Sequence, residues 1–101
     1  MTHLIAIAFM ALISNPAQAM TETQCISISN SAGHIMRHRQ NEMDMTKLYK
    51  IINKMENEHS KMYLKQVIKM AYQEPHFSTD KYKTGAIKKF KNRIFGLCLS
   101  A

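Results

Sequence analysis

The sequence predicts an all-α protein: a compact bundle of four short helices closed by one disulfide. Three observations predict it. Apolar residues recur at three- and four-residue steps in four successive stretches. No stretch alternates apolar and polar residues between turn signals as a strand does, and the whole chain holds only two prolines. Two cysteines, Cys25 and Cys98, stand near opposite ends of the segment that follows residue 19.

Residues 1–19 read as a cleavable secretory signal peptide. Met1-Thr2-His3 precede an apolar run from Leu4 to Ile13, and Ala17-Gln18-Ala19 supply the small-x-small site that a signal peptidase accepts. The leader departs from the usual pattern in having no Lys or Arg, so its positive charge comes from the α-amino group and His3. A retained anchor is the alternative, but the ten-residue apolar run falls short of the about 20 residues a bilayer span needs. Cleavage leaves residues 20–101 as a single helical domain in a periplasmic or secreted setting. That domain keeps the whole net charge of +7, because residues 1–19 contain no Asp, Glu, Lys or Arg.

A chain of this size buries only about 60% of its unfolded surface, so its core is thin. In an oxidising compartment an even pair of cysteines in a small domain is most simply a disulfide. Closing so long a loop is worth about 4 kcal/mol in the chain-entropy model. Two buried free thiols are the alternative.

Helix one begins at a Thr-x-x-Gln capping box, Thr21 with Gln24, and ends near Gln40. Cys25, Ile28, Ala32, Ile35 and Met36 share its apolar face. After Asn41-Glu42-Met43, Asp44 is placed to cap helix two, whose apolar side carries Met45, Leu48, Ile51, Ile52 and Met55. Glu56-Asn57-Glu58-His59-Ser60 reads as a turn, although without Gly or Pro helices two and three can also form one bent rod. Helix three places Leu64, Val67, Ile68, Ala71 and Tyr72 on one face, widened by Tyr63 and Met70, and stops before Pro75. Ser78-Thr79-Asp80 offers caps for helix four, with Ala86, Ile87, Phe90, Ile94 and Cys98 in register. If helices one and four run antiparallel, the two thiols meet at one end of the bundle.

The run Arg39-Gln40, Met43, Met45, Leu48 and Ile51, then Val67-Ile68, Ala71-Tyr72 and Pro75, then Ile87, Phe90, Asn92 and Cys98, behind a signal peptide, resembles a group of small exported proteins of unknown function. These occur in bacteriophages, prophages and proteobacteria. The resemblance implies a Gram-negative periplasmic setting and brings no catalytic residues.

Few constellations point to chemistry. His34 and His38 stand four apart, a spacing at which two imidazoles can share a metal ion, but no third ligand or following Glu completes a motif. Of the nine methionines seven follow residue 19, and Met43-Asp44-Met45 is a thin basis for copper(I), since methionine on an apolar helix face is ordinary packing. No cofactor is expected. Lys47, Lys50 and Lys54 form one face of helix two, a solvated surface or a docking face for an anionic protein or membrane. Arg39 sits beside the apolar face at the end of helix one, where a guanidinium can hold helix-end carbonyls, a carboxylate or a ligand. Tyr72 is either a packed ring with a surface hydroxyl or part of a site.

With no Gly-rich phosphate loop, no nucleophile elbow and seven carboxylates in no acid/base pairing, the chain is not expected to be an enzyme. It has no nucleic-acid recognition pattern. Three functions remain: a binding or inhibitory module for an envelope protein, a periplasmic stress chaperone, or a basic protein on anionic membrane. Oligomeric state is not set by the sequence.

Overall fold

The computed structural model describes residues 20–101, so the expected signal peptide, residues 1–19, lies outside the described residues. The described residues form α1 (Glu22–Gln40), α2 (Met45–Asn53), α3 (Glu58–Gln73) and α4 (Asp80–Ser100), with no strand among them.

Both ends of α1 and the starts of α3 and α4 have local causes. At the start of α1, the Thr21 hydroxyl accepts the Gln24 N–H at 3.1 Å while the Gln24 side-chain oxygen accepts the Thr21 N–H at 2.9 Å, closing the capping box. At its end, the Glu42 N–H bonds the Arg39 carbonyl and the Met43 N–H bonds the His38 carbonyl, the two bonds of a Schellman turn. That turn places Glu42 at φ 62°, in the left-handed region. The Asn57 side chain accepts the Ser60 N–H at 2.9 Å, and the Thr79 hydroxyl accepts the Tyr82 N–H at 3.3 Å, starting α3 and α4. Asp44 occupies the N-cap position of α2 but its side chain makes no capping bond; only its carbonyl serves the helix.

Helices two and three are separate. The break falls at Lys54–Asn57, earlier than the polar run implied, because the Asn57 cap draws Glu58, His59 and Ser60 into the first turn of α3. Gln73 ends α3, and Glu74 is extended at ψ 150°, as the residue before Pro75 must be.

α1 is the central element, packing on both α3 and α4, while α2 rests on α3. The loops bring the C-terminal ends of α1 and α3 together at Glu74 and Pro75, and Cys98 at the end of α4 reaches Cys25 at the start of α1. Successive helices therefore alternate in direction. The core consists of Ile28, Ala32, Ile35 and Met36 from α1, Leu48 and Ile52 from α2, Leu64, Val67, Ile68 and Ala71 from α3, and Phe90 and Ile94 from α4. Of the other residues expected on apolar faces, Met45, Met55, Tyr72 and Ile87 are half-buried against this core, Ala86 is half-buried outside it, and Ile51 is 47% exposed. It lines a shallow groove between α2 and α1 with Ser31, His34 and His38, since the nine-residue α2 packs mainly on α3.

Cys25 and Cys98 are joined, their Cα atoms 5.6 Å apart across 73 residues of sequence, and both are buried. Two turns further along, α1 and α4 lie close. The Ser29 hydroxyl donates to the Lys91 carbonyl at 3.1 Å. At Gly33 the space of a Cβ is filled by the Lys91 stem, whose Cδ and Cγ would stand 2.7 and 2.8 Å from it.

Candidate functional site

The end of the bundle opposite the disulfide holds a network of polar contacts. Gln40 continues the α1 apolar stripe four residues after Met36, and is 1% exposed. Its amide nitrogen donates to the Pro75 carbonyl at 2.8 Å and its oxygen accepts the Phe77 N–H at 2.9 Å. One buried side chain thus satisfies two backbone groups of the α3–α4 loop. Arg39 adds a fork: its Nε and Nη2 donate to the Glu74 carbonyl at 3.2 and 3.0 Å, and its guanidinium lies 5.5 Å from the centre of the Tyr72 ring. The Tyr72 hydroxyl donates to the Met43 carbonyl at 2.6 Å, fastening the α1–α2 turn to α3. Burial pushes the Tyr72 phenol above its ordinary range, with nearby Arg39 opposing and Asp44 adding to the shift; burial alone raises Tyr63.

Arg39 and Tyr72, both candidate binding residues, are therefore engaged in holding two loops. Arg39 and Gln40 fix the backbone of Glu74, Pro75 and Phe77, which line a cleft of about 300 Å³. Met36, Pro75, Phe77, Ala86 and Phe90 form its apolar floor, and Lys89, Arg93 and Glu74 its rim. Arg93 Nη1 pairs with Glu74 Oε1 at 2.8 Å, so these two charges offset each other and Lys89 gives the rim a net positive charge. Lys89 is exposed and no acidic side chain pairs with it among the described residues.

The other candidates are distributed elsewhere. Lys47, Lys50 and Lys54 are all exposed on α2, without acidic partners among the described residues, and lie apart from the cleft. Not every lysine is free: Lys65 extends over the Tyr49 ring at 5.2 Å, and Lys91 packs on Gly33. His34 is exposed and His38 half-buried, and Arg37 Nη1 lies 3.4 Å from His34 Nδ1, placing a fixed positive charge where a metal ion would approach. No group of three or more His, Cys, Asp or Glu among the described residues can hold a metal ion. None of the described helices is long and apolar enough to cross a membrane.

No family model matches the chain, and neither a curated protein nor a solved structure matches it.

Sequence reasoning missed Gln40 and the cleft. The signal for Gln40 was present, since a polar residue on the buried stripe of a helix must find partners. The cleft had no such signal, because Met36, Phe77 and Phe90 come from three distant segments.

Proposed function

We propose that this chain is a periplasmic or secreted binding module, a disulfide-closed helical bundle that docks an acidic and partly apolar segment of an envelope protein, holding or inhibiting it. The observation that carries this reading is the cleft at the Gln40 end, which combines an apolar floor with a net positive rim. A buried apolar anchor beside a complementary charge is the usual composition of an interface centre. The supporting walls are fixed by Gln40 and Arg39, which limits the entropy lost on binding. The disulfide fits a compartment outside the reducing cytoplasm. Lys47, Lys50 and Lys54, without acidic partners among the described residues, add a long-range field that speeds encounter with an acidic partner.

A single partner is favoured over many unfolded clients by the placement of the methionines. Among the described residues Met36 is buried, Met20, Met43, Met45, Met55 and Met70 are half-buried and Met62 is exposed, so the methionines supply little of the adaptable apolar surface on which a chaperone relies. The lysine face on α2 supports anionic membrane as the second reading.

Capture from envelope extract tests the proposal. The wild-type protein retains one partner in equal amount, Lys89→Glu and Ala86→Glu abolish retention, and Lys69→Glu on α3 leaves it intact. Retention of many unfolded clients, or retention indifferent to the cleft variants, contradicts it. Binding to anionic vesicles that vanishes when Lys47, Lys50 and Lys54 become Gln transfers the assignment to the membrane.

A further inference from the structure

A second recess lies away from the cleft, in the groove between α1 and α4. It has a volume of about 200 Å³ and is lined by Asn30, Gly33, His34, Arg37, Ile87 and Lys91. Asn30 and His34, like Gly33 and Arg37, stand four residues apart, and the two pairs lie side by side on one face of α1. Lys91 enters from α4, and two features fix its approach. Gly33 leaves the space its stem occupies, and the Ser29 hydroxyl ties its backbone carbonyl to α1. Arg37 and Lys91 have no acidic partner among the described residues. Arg37 Nη1 lies 3.4 Å from His34 Nδ1, so the guanidinium and the imidazole stand side by side at the recess.

We propose that this recess is a binding site for a phosphoryl group. Two permanent cations, an imidazole and a side-chain amide line one small volume with no carboxylate among its lining residues. A phosphate monoester carries about −1.5 to −2 charges and three strong acceptor oxygens at neutral pH, which matches two cations and several donors. A carboxylate, with one charge and two oxygens, leaves part of the set unpaired. Arg37 supplies the planar fork suited to phosphate oxygens, and Lys91 acts as a point charge. Arg37 belongs to the last turn of α1, where the helix dipole repels anions, so affinity comes from the side chains and not from the backbone. This site is independent of the cleft at the Gln40 end.

The test is a titration of the full oxidised chain with inorganic phosphate at low salt, followed by amide chemical shifts. Saturable shifts at Asn30, His34, Arg37 and Lys91 are expected, with acetate at equal ionic strength producing none. Arg37→Gln weakens phosphate binding about tenfold or more, as loss of a charge-assisted bond should. Gly33→Ala keeps every charge but displaces the Lys91 stem, and it too weakens binding several-fold while the chain remains folded by circular dichroism. Lys69→Gln, on α3 and outside both the recess and the cleft, leaves the phosphate response intact. Phosphatidic-acid vesicles identify the source: binding to them that Arg37→Gln abolishes assigns a lipid headgroup, and saturation by free phosphate alone assigns a soluble ligand. Absence of saturable shifts, equal shifts with acetate, or phosphate affinity unchanged in Arg37→Gln overturns the proposal.

Discussion

Gln40 and Phe77, 37 residues apart in sequence, are joined by a 2.9 Å hydrogen bond from the Phe77 backbone N–H to the Gln40 side-chain oxygen. With the companion bond to the Pro75 carbonyl, it makes one side chain of α1 the anchor of the α3–α4 loop. Gln40→Leu keeps the volume and removes both bonds, leaving a buried edge of the loop without partners. A loss of about 2 kcal/mol is expected in urea unfolding, together with faster hydrogen exchange at the Phe77 amide. A change below about 0.5 kcal/mol would show that water replaces Gln40 at no cost.

Glu42 is the one non-glycine residue with positive φ among those described, at the turn position where glycine is preferred. Glu42→Gly relieves that cost and is expected to raise stability by about 0.5–1 kcal/mol. The His76 contact it gives up, at 3.8 Å on the surface, contributes little. Thermal melts of the two proteins measure the difference, and a lower melting temperature for the glycine variant is the contrary result.

Tyr72 gives the fold a dependence on alkaline pH. Burial raises the phenol above its ordinary value of 10.0, so the folded state holds the proton more tightly than the unfolded chain. This stability is fully present below pH 10.0 and is lost as pH rises through the higher folded value. Tyr72→Phe is expected to cost about 1 kcal/mol at neutral pH, through loss of the bond to the Met43 carbonyl, and to flatten the decline above pH 10. Identical alkaline unfolding curves for the two proteins would remove Tyr72 from this role.

The disulfide should contribute a large part of the stability, since the core draws only two residues each from α2 and α4. Reduction is expected to lower the unfolding free energy by about 2–5 kcal/mol. A melt unaffected by reductant contradicts the account of how α1 is held to α4.

Local chemistry was legible in the sequence where a few neighbouring residues decide the outcome. The Thr21–Gln24 box, the stop before Pro75 and the Thr79 cap each depend on contacts within four residues. The pairing of Cys25 with Cys98 followed from two inward faces in antiparallel helices. Position along a helix was less informative where a neighbouring helix had to decide burial. Ile51 lies at the margin because α1 and α2 leave a groove there, which the spacing within α2 does not reveal. The cleft and the α1–α4 recess arise from residues brought together by tertiary packing, and Arg39 finds its carbonyl 35 residues away. In each of these cases the deciding partner is absent from the local sequence.

The account as a whole rests on an exported, oxidised bundle, and intact-mass measurement of unreduced protein recovered from the envelope fraction tests it most directly. The expected species begins at Met20 and is two hydrogens lighter than the reduced chain, as one disulfide between Cys25 and Cys98 requires. A species beginning at Met1 with both thiols free would contradict export and closure of the bundle together.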